Sequence, residues 1–311
     1  MQLNSTTVAL TAQSSYRRPS LDQAVDRLLS SFDHPGTLRT ARVLLKPNLI
    51  TARNGVLACT EGRLIIAAAR WFLDRGARVA VGDSPAFGSA QSVLAAIGVL
   101  PALQSLGVTV EEFGRTRPTV LPCGQTAPLT TAVMECDYLV NLPRVKAHSQ
   151  VRVTLAVKNY FGCVAGFHKP WWHMAHGGVD GRFAALLVEL LAVLPPSLSL
   201  VDGIVAMHCT GPVHGEPFPL GVMAAGANPV AVDTALLSLL GIDPRQCPLW
   251  LAAEQAAIKG TALADLVLPL AAPADLRVEG FVVPETLGPI RFNPIRFIKN
   301  SITRVLLRLR G

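Results

Sequence analysis

DYLVNLPRVKAHSQVRVTLAVKNYFGCVAGFHK, residues 137–169, decides how this chain is read. It opens on an apolar run, 138–142, with the length and composition of a buried strand. Arg144, Lys146 and His148 then fall within five residues, and the reading puts them on a loop leaving that strand rather than on a solvated helix face. Lys158 and Asn159 follow, ahead of a turn punctuated by Gly162 and Gly166, and His168 and Lys169 close the stretch. A buried strand emptying into cations and imidazoles is what an open α/β sheet builds at the carboxyl ends of its strands, where ligands bind. These residue types suit an anionic or metal-bearing ligand.

Outward from this stretch, short apolar strands alternate with helices. Strands are expected at 7–10, 43–45, 79–81, 108–110, 198–201 and 221–225. Helices are expected at 21–32, capped by Ser20, and at 64–73, 89–97, 182–194, 230–240 and 249–258. This alternation predicts an α/β fold: a doubly wound, mainly parallel sheet with helices on both faces. Residues 1–270 would form that domain. Residues 271–311 would form a Pro-bearing linker and a basic amphipathic C-terminal helix, in which Ile295, Ile298, Ile302, Val305, Leu306 and Leu309 recur at helical spacing.

Composition narrows the function classes. Hydrophobic residues make up 50% of the chain but aromatics only 6%, so Ala, Val and Leu do the packing. The longest apolar run, 183–201, is cut by Glu189, Pro195 and Pro196 and falls short of the roughly 18 residues a membrane span needs. The N-terminus lacks the basic start and apolar core of a signal peptide, so a cytoplasmic protein is expected. Of the net charge of +7, residues 291–311 supply six cations and no acid. A basic surface for nucleic acid is therefore not expected; the basic helix in 291–311 could instead lie on an anionic membrane, dock on a partner or pack on its own domain with its basic side solvated. The six cysteines are scattered with no CxxC pair, which argues against a disulfide framework and against a local iron–sulfur or zinc motif.

Several residues could carry chemistry. Lys46 leaves its strand in LLKPN, where Pro47 stiffens the exit and Asn48 adds an amide. Gly82-Asp83-Ser84-Pro85 is a strand-to-helix turn of the kind that holds phosphates, with Asp83 a metal ligand, a base or a helix cap. It has neither the G-x-G-x-x-G spacing nor a P-loop. His168, His173 and His176 cluster in HKPWWHMAHGG, and with Cys163 they could offer a borderline metal three or four donors. Asp202 ends another strand ahead of Met207-His208-Cys209-Thr210-Gly211-Pro212, a possible ligand wall. Asp233 sits inside an apolar helix, where an unpaired carboxylate is costly, so it is expected to pair with Lys46, Lys146 or Lys158.

Together these segments resemble the DUF362 family. The resemblance is carried by LLKPN (44–48), VAVGDSPAFG (79–88), DYLVNLPRVKAH (137–148), TLAVKNYFG (154–162), LSLVDGIVAM (198–207), Gly211-Pro212 and ANPVAVD (227–233). Many members carry a ferredoxin-like domain with two [4Fe–4S] clusters. This chain has no such cysteine quartet, so no intrinsic iron–sulfur cluster is expected. It also has His208-Cys209 where the family usually has a Glu.

Three functions follow. The first is an enzyme holding a small anionic metabolite through Lys46, Asn48, Asp83, Ser84, Arg144, Lys158, Asn159, Asp202 and Asp233, with Lys146, His148 and His173 as catalytic groups. The cluster-bearing relatives imply redox chemistry, here with a separate ferredoxin. The second is a non-catalytic carrier of a divalent metal or cofactor, with His168, His176, His208 and Cys209 as metal ligands. The third is a membrane-surface or partner-docking module working through the basic tail.

Overall fold

Alternation within single strands sets the layering. Val43 and Leu45 join one apolar core while Leu44, between them, joins the core on the other side of the sheet. The computed structural model describes residues 2–34, 36–52, 56–165, 172 and 181–288. Its strands in chain order are β1 Ala9–Ala12, β2 Arg42–Pro47, β3 Arg78–Asp83, β4 Thr109–Glu112, β5 Thr116–Val120, β6 Thr126–Thr130, β7 Tyr138–Leu142, β8 Arg144–His148, β9 Arg152–Thr154, β10 Ser197–His208, β11 Glu216–Phe218 and β12 Val222–Gly226.

The main sheet runs in the order β1-β12-β10-β7-β2-β3-β4. β10, β7, β2, β3 and β4 are mutually parallel, and β12 and β1 add an antiparallel edge. The helices Ser20–Leu29, Gly62–Leu73 and Ala90–Ala96 cover one face. Arg182–Leu190 and Pro248–Gln255 cover the other, and Pro229–Leu239 packs beneath the antiparallel end. This is the α/β, mainly parallel, two-faced sheet that the sequence predicts.

The winding locates the site. From β2 the chain moves to β3 and then β4; it then returns to the opposite side of β2 as β7 and continues to β10. The strand order therefore reverses between β2 and β7. In open α/β sheets such a reversal leaves a crevice outside the strand carboxyl ends. Here the reversal is flanked by Lys46-Pro47-Asn48 and by Leu142-Pro143-Arg144.

Three local expectations are corrected. Arg144, Lys146 and His148 lie on strand β8, not on a loop, because β8 pairs in parallel with β10 and antiparallel with β9. The strand expected at 198–201 continues to His208, since its far half pairs with β8 and β11. Ser20 is the first residue of its helix rather than its cap, and its hydroxyl donates to the Arg17 carbonyl at 3.0 Å. Residues 271–288 are strapped to the strand ends: Cys209 N donates to Val282 O at 2.9 Å, Arg152 Nη1 to Pro284 O at 2.8 Å and Gly288 N to Ser149 O at 2.8 Å. His168, His173, His176 and the tail 291–311 lie outside the described residues.

Candidate functional site

One polar row crosses the sheet at the reversal. Lys46 on β2 stands opposite Asn141 on β7, which stands opposite Ser199 on β10. Each is fully buried, so each must find partners within the protein. Asn141 Nδ2 donates to Ser199 Oγ and to the Ala156 carbonyl, both at 3.1 Å, and Asn141 Oδ1 accepts from Asn159 Nδ2 at 2.8 Å. Asn159 Oδ1 in turn accepts from Asn48 Nδ2 at 3.1 Å. These amides tie the turn Ala156–Asn159 to the ends of β2 and β7.

Lys46 Nζ lies 2.9 Å from Asp83 Oδ1 at the end of β3, an ion pair with side-chain exposures of 0% and 3%. That oxygen has no well-aligned hydrogen-bond donor, so the contact is chiefly Coulombic. The other Asp83 oxygen accepts from Leu49 N at 2.8 Å, so the carboxylate both neutralises Lys46 and orders the β2 exit. Gly162 backs onto this pair: a Cβ there would run into Lys46 Nζ and Asp83 Oδ1. Glycine is thus what lets the turn after Asn159 close over the ions.

On β8, Arg144, Lys146 and His148 occupy alternate positions and therefore share a face. Arg144 is spent within the protein. Nε donates to Val205 O and Nη1 to Cys59 O, both at 2.8 Å, while Nε lies 3.8 Å from Asp202 Oδ2. Asp202 also accepts from Tyr16 OH at 2.5 Å and from Glu61 N at 2.9 Å. Burial pushes its carboxyl upward against the pull of Arg144 and the Tyr16 hydroxyl.

Lys146 differs. It is 2% exposed, and its ammonium donates to Asn48 Oδ1 and, at 2.9 Å, to Ala58 O, both neutral acceptors. Burial pulls it from the ordinary lysine value down to about 8; nearby Cys59 and Asp83 oppose the fall, and Arg144 and Lys46 add to it. His148 Nδ1 accepts from Gln150 N at 3.1 Å, which leaves the ring proton on Nε2. Burial, then the nearby Lys158 and Lys146 charges, push this imidazole down to about 3. It is therefore a neutral N–H donor across the physiological range. Lys158 is half-buried, its ammonium 4.5 Å from the Phe161 ring centre and 4.9 Å from that of Phe183.

The structure thus brings Lys46, Asn48, Asp83, Lys146 and Asn159 together, with Arg144 and Asp202 behind them and His148 and Lys158 alongside. Ser84 follows Asp83 at the β3 exit and is half-buried. Asp233 has a different role from the expected lysine pairing. Its oxygens accept from Ala156 N at 2.7 Å and Val157 N at 3.3 Å, so it caps the turn that carries Lys158 and Asn159. Burial still raises its carboxyl to about 8, against the two N–H groups that lower it. His208 and Cys209 lie at the far end of β10, beside β11.

Sequence reading missed Tyr16, Cys59, Thr60 and Asn141. Thr60 Oγ1 accepts from Asn48 N at 2.8 Å and donates to Leu142 O at 2.5 Å, bridging the exits of β2 and β7. Asn141 did carry a signal, as a polar residue inside an otherwise apolar strand.

Residues 43–238 match the profile of a family described as a domain of unknown function, DUF362. A thylakoid-associated protein of Synechocystis is 37% identical over 309 residues, spanning 97% of this chain and 95% of its own length. The lactate racemase apoprotein of Thermoanaerobacterium thermosaccharolyticum aligns with a TM-score of 0.46 at 10% identity, over 76% of this chain and 58% of its own. A Thermotoga maritima protein aligns with a TM-score of 0.42 at 11% identity, over 70% and 57%. This chain spans less than two thirds of either of those two structures' length.

Proposed function

Because this chain belongs to the DUF362 family, whose description assigns no reaction, we propose from its own geometry that it binds a small anionic metabolite at the β2/β7 crevice and acts on it as an enzyme. One observation carries the reading. Lys46 has Asp83 and Arg144 has Asp202, but no carboxylate of the described residues lies within ion-pair distance of the buried Lys146. A buried cation held only by neutral acceptors is costly, and an incoming carboxylate or phosphate would supply its counter-charge. Lys146 would be the contact cation. His148 would donate from Nε2, and Asn48 would orient both the lysine and the ligand.

The acid–base role moves with the titration. A group at about 3 does not exchange protons near neutrality, whereas Lys146 at about 8 does. Lys146 is therefore the proton-transfer candidate and His148 the positioning donor. Calorimetric titration with inorganic phosphate and with succinate tests the reading and separates the two anion classes. Saturable binding of either at one site per chain is expected. Failure of both to bind would remove the reading.

A second reading has its own support. The thylakoid-associated relative and the basic amphipathic pattern of 291–311 favour peripheral contact with an anionic membrane surface. Among the described residues no helix is long and apolar enough to cross a membrane. The full chain should co-sediment with phosphatidylserine vesicles and lose that at high salt. A chain ending at residue 290 should stay in the supernatant; equal sedimentation of the two would dismiss this role for the tail.

A further inference from the structure

At the far end of β10 the loop 209–215 leads into β11, and the pairing sets His208 directly opposite Glu216. Cys209 follows at φ 67°, a left-handed conformation that non-glycine residues seldom adopt. One donor atom from each of His208, Cys209 and Glu216 lies within 4.8 Å of the other two. His208 and Cys209 are half-buried and Glu216 is exposed, so the cluster meets solvent on one side. On the inner side the His208 ring packs 5.0 Å from Phe218 and 6.1 Å from Phe281, centre to centre, which fixes its position.

We propose that His208, Cys209 and Glu216 form a binding site for a thiophilic divalent cation of the zinc class, separate from the anion crevice. The donor set is one imidazole nitrogen, one thiolate and one carboxylate oxygen, which suits zinc better than magnesium or calcium. Zinc bonds of about 2.0 Å to nitrogen or oxygen and about 2.3 Å to sulfur place tetrahedral ligands roughly 3.3–3.8 Å apart. Donor atoms within 4.8 Å of one another need to close by no more than about 1.5 Å to reach that spacing, and the exposed Glu216 side chain has room to move. Three protein ligands leave a fourth position for water or a substrate atom. On binding, the Cys209 thiol proton leaves to solvent and the sulfur bonds to the metal; the carboxylate enters as it stands.

The geometry also states what binding costs. Val282 N donates to His208 Nδ1 at 3.4 Å, longer than an ordinary N–H hydrogen bond. Coordination through Nδ1 replaces that contact. Coordination through Nε2 moves the ring proton to Nδ1 and also breaks it. The Val282 amide is thus a reporter, while Cys209 N still anchors the segment through Val282 O at 2.9 Å.

Cobalt(II) titration of the full chain tests the site, since a cobalt-bound thiolate gives a charge-transfer band in the near ultraviolet. The band should appear in the wild type, vanish in Cys209→Ser, and need at least about tenfold more cobalt in His208→Ala and in Glu216→Gln. Native mass spectrometry after zinc loading should count one ion fewer in Cys209→Ser than in the wild type. Far-ultraviolet circular dichroism identical to wild type establishes that this near-isosteric variant is folded. A full-strength band in Cys209→Ser, or no band in the wild type, overturns the proposal.

Discussion

Asp83→Ala lowers stability by roughly 3–5 kcal/mol and the melting temperature by on the order of 10 °C. The size follows from what the substitution leaves behind. Lys46 is fully buried, and Asp83 is the carboxylate 2.9 Å from its ammonium. Removing the partner strands a charge in the low-dielectric interior, and the Leu49 N–H loses its acceptor as well. Asp83→Asn should keep most of the Leu49 contact yet still lose the charge balance, and so fall between the two. Combining it with Lys46→Met should recover much of the loss, because an apolar side chain of similar length replaces the stranded ion. Chemical denaturation of the four proteins checks the series. A loss under about 1 kcal/mol for Asp83→Ala would mean that the pair is not the buried anchor of the β2/β3 ends.

Lys146→Met separates function from stability. Folding moves this lysine from 10.5 to about 8, so between those values the unfolded chain holds more protons than the folded one. Wild-type stability therefore gains a rising contribution from Lys146 as pH climbs from about 8 toward 10.5, while below about 8 the cost of the buried cation is present in full. That cost is on the order of 3 kcal/mol. Methionine removes it but leaves the Ala58 carbonyl and Asn48 Oδ1 without their ammonium donor, a loss of about 1–3 kcal/mol. At pH 7 the two nearly cancel, so the variant should melt within a few degrees of the wild type. Above pH 8 the rising contribution should be absent from the variant. A sharply destabilised Lys146→Met at pH 7 would make this lysine a structural strut rather than a site held ready for a ligand.

How much of this was legible in the sequence depends on what each residue leans on. The apolar strands ending in Lys46, Asp83 and Leu142 were visible because parallel strands buried on both faces read as continuous apolar runs. The placement of Lys46, Asp83 and Asn159 near one another followed from those strand ends. Residues 144–148 were read as a loop because three polar side chains follow Pro143 directly at the end of the apolar run 138–142. Yet RVKAH has strict period two, with Val145 and Ala147 buried on one face of the strand and Arg144, Lys146 and His148 on the other. What makes that strand tenable is distant in sequence: Asp202, Tyr16 and the Cys59 and Ala58 carbonyls, which no local pattern announces. Asp233 shows the same limit from the other direction. A buried acid in a helix was rightly read as needing a partner, but the partner is the backbone of Ala156 and Val157, and backbone donors leave no trace in residue identity.

Lys146 as the cation that receives an anion is tested most directly by the calorimetric affinity for sulfate, a dianion that does not itself titrate between pH 6 and pH 9.5, measured across that range. The prediction is saturable binding that weakens as pH rises through about 8, with no step near the ordinary histidine value, because His148 stays neutral throughout. In Lys146→Met the same titration should show no saturable heat at any pH. Binding that is unchanged in the variant, or that is governed by a group titrating near 6.5, would contradict it.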